Sequence, residues 1–243
     1  ILELKKSKKL LIIIYKIILQ RKNMNNYRKI HRKPPVSGKN PNSMVIFLHG
    51  YGADGADLFG LSVPYSNKMP NTQFISPDAP NDCAMSLSGK EWFPIEKIPF
   101  GAKDAVKDFL IFLENESKSF SIPFEEIVLI GFSQGAMLAL QTLLISPKKI
   151  GAVIAYSGGL KLENIAISKD FIDNNIHKYF DTPIMLIHGE VDEVVPFESL
   201  NITGDLLNQI GFNVEKVSRP NLGHGIDEEG IEIGINFLKK INF

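Results

Sequence analysis

The chain has 243 residues, 44% of them hydrophobic, with 27 Lys and Arg against 27 Asp and Glu, and a single cysteine. That is enough apolar material for the core of one large domain and too much for a disordered chain. The lone thiol, Cys83, excludes an intrachain disulfide framework and a cysteine-based metal cluster, and its plain reading is a small buried hydrophobe.

The balance of charge is uneven along the chain. Residues 1–33 hold eleven Lys/Arg and one acid, Glu3, leaving 16 bases against 26 acids in the remainder. An acidic body carries no electrostatic footprint for nucleic acid. The leader resembles a secretory signal in its basic start and apolar run, but that run, Leu10 to Leu19, is ten residues long and broken by Lys16. No small-residue cleavage site follows, and a membrane-spanning helix needs about twenty apolar residues. The expectation is therefore a basic extension over 1–33, foreign to the native protein or disordered, with the functional protein starting near Met24 and one domain over 34–243. A basic amphipathic anchor on a membrane surface is the sharper alternative for the leader, and an export signal the third. Residues 24–43 are polar and read as an arm leading into the domain.

From Ser43 onward, short Ile- and Val-rich runs alternate with helical patterns. Strands are expected at 44–50, 72–77, 126–131, 151–158 and 182–189, with a weaker one at 213–218. Runs this short and continuously apolar suit strands buried on both faces of a parallel sheet. Residues 102–118 form an amphipathic helix with Val106, Phe109, Leu110 and Leu113 on one stripe. Residues 135–146 are apolar nearly all round, which predicts a buried helix. Two more helices follow, at 198–211 with Gly211 as its terminator and at 228–241 with acids first and lysines last, as the helix dipole prefers. The pattern is that of an α/β domain with a mostly parallel central sheet and helices on both faces.

In such sheets, sites form where loops leave the C-terminal ends of strands. The stretch "GFSQG" places Ser133 between an expected strand and an expected helix, the setting of a nucleophile elbow, and Gly131 and Gly135 leave room for that corner. A serine hydroxyl needs a base. The loop "HGEVDEVVP" offers Asp192, and "LGHGIDEEG" offers His224. The order Ser133, Asp192, His224 is the chain order of α/β-hydrolases. His224 is expected to take the serine proton and Asp192 to hold the imidazole in the right tautomer. Glu190, Glu193 and Asp227 compete for the carboxylate role. His31, His49, His177 and His188 compete for the imidazole role, with His188, at a strand end, read as structural. The glycine-rich loop "FLHGYGADGADL" offers backbone donors for an oxyanion, with the amides of Tyr51 and Gln134 as candidates. It matches neither phosphate-loop pattern.

Together "LHGYGADGADL", "FISPDAP", "WFPI", "GFSQG", "HGEVDEVVP" and "GHGID" resemble the phospholipase/carboxylesterase family of α/β-hydrolases, which includes the acyl-protein thioesterases, over about residues 44–240. The likeness is greatest to the small bacterial carboxylesterases. It implies an α/β-hydrolase fold with a minimal lid and a catalytic Ser133, Asp192 and His224. It also implies oxyanion amides from Tyr51 and Gln134, a cytoplasmic enzyme without metal or organic cofactor, and dimers, which some members form. The implied substrates are small carboxylic esters, lysophospholipids or acyl thioesters, and short- to medium-chain acyl esters come first because the body has no basic cluster for polyanions. The long irregular stretch 81–101 holds Met85, Leu87, Trp92, Phe93 and Phe100, and Trp92 and Phe93 are expected to line an acyl groove. The rival readings are acyl transfer or amide cleavage by the same triad, a non-catalytic ligand-binding protein on this scaffold, and a membrane-tethered interaction protein led by residues 1–33.

Overall fold

The computed structural model describes residue 27 and residues 29–84, 86, 88–98, 100–165 and 179–243. The segment 1–23 and the expectations for His177, Met85 and Leu87 lie outside these residues.

Seven strands form the central sheet in the order β1-β3-β2-β6-β7-β8-β9. They are β1 (Ile30–Lys33), β2 (Ser43–Leu48), β3 (Thr72–Pro77), β6 (Ile127–Phe132), β7 (Ala152–Tyr156), β8 (Ile184–Gly189) and β9 (Val214–Arg219). A two-residue ribbon, β4 (Asn81–Asp82) with β5 (Lys90–Glu91), stands apart from the sheet. Strand β1 runs antiparallel to β3, and every other pairing in the sheet is parallel. The expected strands appear within a few residues of their predicted limits.

Continuous apolar runs follow from burial on both faces. Along β2, Met44, Ile46 and Leu48 point into one core while Val45 and Phe47 point into the other. Helices α3 (Gly101–Phe120), α4 (Gln134–Ile145) and α5 (Glu198–Gln209) cover the first face. Helices α1 (Gly55–Phe59), α2 (Ser62–Ser66) and α6 (Glu228–Lys240) cover the second. Every residue of α4 except Met137 is buried, as its all-round apolarity predicts. Helix α5 stops before Gly211, whose φ of +109° gives the chain its exit.

Part of the expected polar arm belongs to the sheet. Residues 30–33 pair with Phe74–Pro77 as an edge strand, and Tyr27 is buried against Phe112, with ring centroids 4.6 Å apart. The sequence signal is weak because an edge strand keeps charge: Arg32 reaches the nearly buried Glu116 at 2.6 Å. Among the described residues, no helix is long and apolar enough to cross a membrane.

Candidate active site

Strand β6 ends at Phe132 and α4 begins at Gln134, so Ser133 alone makes the turn. Its φ of 52° and ψ of −115° lie where non-glycine residues rarely sit, a strain of about 1–3 kcal/mol that the surroundings must enforce. The Ser133 N–H donates to the Tyr156 carbonyl at 2.9 Å, and its own carbonyl accepts the first helical bond from Met137 N–H at 3.1 Å. A Cβ on Gly135 would run into the Leu48 carbonyl, and one on Gly131 into the backbone of Gly135 and Ala136. Strand β2, strand β6 and helix α4 therefore press together at this corner in a way larger residues would prevent.

The loops after β8 and β9 meet beside the serine. His224 Nδ1 lies 2.8 Å from Asp192 Oδ2. A carboxylate accepts, so Nδ1 carries the proton and Nε2 is left with its lone pair. The other carboxylate oxygen, Oδ1, accepts the backbone N–H groups of Val194 at 2.9 Å and Val195 at 2.8 Å. Burial of Asp192 opposes ionisation, but the hydrogen bonds from His224, Val195 and Val194 outweigh it and hold the carboxyl below its ordinary value. The His224 ring packs on Phe132, 4.8 Å between centroids. Its loop is braced by Arg219 at the end of β9, whose guanidinium donates to both oxygens of Asp227 at 2.8–3.2 Å and also pairs with Glu229. Asp227 in turn caps α6 by accepting from Gly230 N–H at 2.8 Å.

Of the rival residues, Glu190, Asp227, His31 and His49 stand outside this pair, Glu193 is exposed, and His188 adjoins the pair. Glu190 accepts from Ser218 Oγ at 2.8 Å, and Asp227 serves Arg219 and the helix cap. His31 sits in β1 beside Phe59. His49 is buried after β2, and burial pulls its pKa down. His188 is buried near the end of β8 and also approaches Asp192.

On the other flank of the serine, hydrogen bonds between neutral groups organise the loop that starts at His49. His49 Nδ1–H donates to Gly50 O at 2.7 Å, which leaves Nε2 to accept from Ala79 N–H at 2.9 Å. The Trp92 indole N–H donates to His49 O at 2.8 Å. The Gln134 side chain closes the ring: its Oε1 accepts Trp92 N–H at 2.9 Å and its Nε2 donates to Phe93 O at 2.7 Å. As the first residue of α4, Gln134 has no intrahelical partner for its N–H. Among the described residues, Tyr51 N–H has no backbone acceptor either. Hydrogen bonding with Cys83 pushes the Tyr51 phenol up to about 12. The hydrogen bonds by which the Gln134 side chain fastens Trp92 and Phe93 leave only a faint mark in the sequence, a large polar residue at the start of a helix otherwise buried.

Ser133, His224, Tyr51 and Gln134 line one cavity of about 380 Å³. Its apolar lining comes from Phe93, Ile95 and Ile98, from Met137 and Leu160, and from Val194, Val195 and Pro196. The size and apolar lining suit a small acyl chain. Phe93 is among the residues lining this cavity. Trp92 is not: it is 2% exposed and packs against His49 and Phe109. Its indole N–H needs a buried acceptor and finds one in the His49 carbonyl, which turns the ring inward.

A parallel sheet of this order, a strained serine between strand and helix, and a carboxylate–imidazole pair on the loops of later strands define an α/β-hydrolase. Within that class, the chain belongs to the phospholipase/carboxylesterase family, whose model matches residues 35–242. It is a carboxylic ester hydrolase. It is similar to acyl-protein thioesterase 1 of Candida albicans, with 32% identity over 225 residues, covering 85% of this chain and 95% of that protein. A probable carboxylesterase of Oryza sativa subsp. japonica is 28% identical over 209 residues, covering 80% of this chain and 86% of the relative. Among solved structures, esterase PE8 superposes with a TM-score of 0.76 at 32% identity, covering 87% of this chain and 97% of that one.

Proposed function

We propose that the protein hydrolyses short- to medium-chain acyl esters through a covalent acyl-enzyme on Ser133. The observation that carries this reading is the His224 Nδ1–Asp192 Oδ2 hydrogen bond of 2.8 Å, which leaves Nε2 as the free base in the cavity that Ser133 also lines. His224 Nε2 takes the Ser133 hydroxyl proton as Oγ attacks the acyl carbonyl carbon. The oxygen of the tetrahedral adduct accepts from the N–H groups of Tyr51 and Gln134. Collapse breaks the bond to the leaving group, which departs with the proton from His224. Water, deprotonated by His224, then attacks the acyl-enzyme, and Ser133 recovers its proton as the carboxylic acid leaves. Asp192 keeps its charge throughout and stabilises the imidazolium formed in each half-reaction.

Acyl thioesters form the second reading, supported by the likeness to the thioesterase of Candida albicans. The chemistry of both substrate classes is the same up to the leaving group.

The test is active-site labelling with a fluorophosphonate, followed by turnover of p-nitrophenyl esters from acetate to decanoate and of an acyl thioester. The label is expected on Ser133, and Ser133→Ala is expected to remove both label and turnover. Each added methylene is expected to raise kcat/KM about fourfold, the equivalent of about 0.8 kcal/mol of apolar burial, until the cavity is filled. Label on another residue, or undiminished turnover by the alanine variant, overturns the reading.

A further inference from the structure

His188 belongs to β8, pairs in register with Ser218 of β9, and has a side chain only 1% exposed. Its Nε2 lies 2.9 Å from the Val195 carbonyl oxygen and 3.3 Å from Asp192 Oδ2. The carbonyl oxygen accepts, so Nε2 carries the proton and donates it to Val195 O, with Asp192 Oδ2 close beside that bond. Asp192 itself accepts three hydrogen bonds, from Val194 and Val195 N–H on Oδ1 and from His224 Nδ1 on Oδ2. All three donors ride on loops. His188, which meets both the Val195 carbonyl and Oδ2, is set in the sheet, where β8 is hydrogen-bonded on both sides.

That difference matters because the carboxylate loop is a surface loop. Val191 and Val194, on either side of Asp192, are 56% and 68% exposed. A loop so exposed has little packing of its own to fix a carboxylate, while orienting an imidazole demands placement within about half an ångström. His188 touches that loop twice, at the carboxylate and at the Val195 carbonyl, and its ring meets Phe197 edge-on at 6.1 Å.

We propose that His188 is a positioning residue for the ester-hydrolysing machinery: it carries the register of the sheet to Asp192 and, through Asp192, sets the orientation of His224. The proposal rests on the assignment of Asp192 and His224 given above. A merely structural histidine would tie the loop down for stability and leave the chemistry alone.

The experiment uses His188→Leu and His188→Gln, each alone and combined with Asp192→Asn, on the full chain. The Gln side chain brings its amide nitrogen close to the place of Nε2, so it keeps the donor without the ring. kcat and KM are measured for p-nitrophenyl butyrate, together with melting temperature and the downfield proton resonance of His224 Nδ1–H. His188→Leu is expected to lower kcat about tenfold, through the loss of the bond that ties the Val195 carbonyl and of the polar N–H beside the carboxylate, with KM within about twofold of wild type. It is also expected to broaden or shift the downfield resonance, and His188→Gln to restore most of both. In the Asp192→Asn background the same Leu substitution is expected to cost less than about twofold, because the group it acts through is gone. Should the Leu variant fail to fold, His188→Asn, whose shorter amide cannot reach Asp192, takes its place. An unchanged kcat, an equal penalty in both backgrounds, or a Gln variant no better than Leu at equal melting temperature overturns the proposal. The controls separate it from the triad reading: if Ser133→Ala and Asp192→Asn leave turnover intact, the triad assignment fails. If they abolish it and His188→Leu changes nothing, the positioning role alone fails.

Discussion

The two flanks of Ser133 are built from different materials. On one side, Asp192 and His224 join the loops that follow β8 and β9, and Arg219 at the end of β9 pairs with Asp227 and with Glu229 of α6. On the other, His49, Ala79, Trp92, Phe93 and Gln134 are joined by neutral groups, most of them buried. In the proposed mechanism, charge goes where a proton must move and an imidazolium must be stabilised. Neutral, buried donors go where backbone amides would stand still for an oxyanion that forms and vanishes in each cycle. On that proposal the acid–base side governs how well the serine is activated, and the amide side governs the shape of the cavity and the direction of its donors.

The largest expected effect breaks the acid–base side alone. Asp192→Asn keeps the shape of the residue but offers His224 an amide where it needs a carboxylate, which favours the wrong tautomer. A fall in kcat of about 10³ to 10⁴ is expected, with KM and the acyl-chain preference nearly unchanged. Steady-state kinetics over the p-nitrophenyl ester series checks both parts. A change in chain-length preference equal to the change in rate would mean that the two flanks are not separable.

Next in size is the opposite operation. Gln134→Ala leaves the backbone N–H in place and removes the two side-chain bonds that fasten Trp92 and Phe93 to the elbow. Two backbone groups are then buried without partners, at a cost of about 2 kcal/mol, or roughly 4–8 °C in Tm for a chain of this size. Because Phe93 lines the cavity, kcat/KM for octanoate is expected to fall about tenfold and that for acetate about two- to threefold. An equal loss on both esters would sink the idea that Gln134 shapes the acyl wall.

The two sides also differed in how far they could be read from the linear chain. Ser133, Asp192 and His224 stand in short strand-following loops with glycine neighbours, so residue type, order and local pattern suffice to nominate them. The strands are similarly plain, since burial on both faces writes continuous Ile and Val runs. Gln134, His49 and Trp92 are different. Their partners lie 42, 30 and 43 residues away, and nothing in residue type tells a buried clamp from a solvent-facing polar group or a groove-lining aromatic. A large aromatic in a long irregular stretch suits a substrate wall, yet the polar N–H of Trp92 decides its place. Strand β1 looks like an arm for the related reason that an edge strand keeps charged residues.

The smallest effect is in pH-dependent stability, and it separates the flanks by where each fails. His49 is held neutral by burial, so its folded pKa is below the unfolded value of 6.5. The unfolded chain then takes up a proton that the folded chain refuses, and the His49 contribution, complete above about pH 6.5, is lost progressively as pH falls below it. Asp192 and Asp227 have folded pKa values lowered by their hydrogen bonds, the first to His224, Val195 and Val194, the second chiefly to Arg219. Their contributions persist down to the unfolded carboxylate range near pH 4 and are lost below it. Glu116, raised by burial in spite of Arg32, acts in the opposite direction around that range, so the wild-type curve alone does not isolate either step. His49→Gln does. Melting curves from pH 8 to pH 3 are expected to show the variant less stable at pH 8 but with a flatter slope between pH 6.5 and 5, by at most about 1.4 kcal/mol per pH unit, and with the loss below pH 4 retained. Parallel slopes for the two proteins between pH 6.5 and 5 would mean that the amide-bearing side is not held together by a neutral imidazole, and the contrast between the flanks would lose its chemical basis.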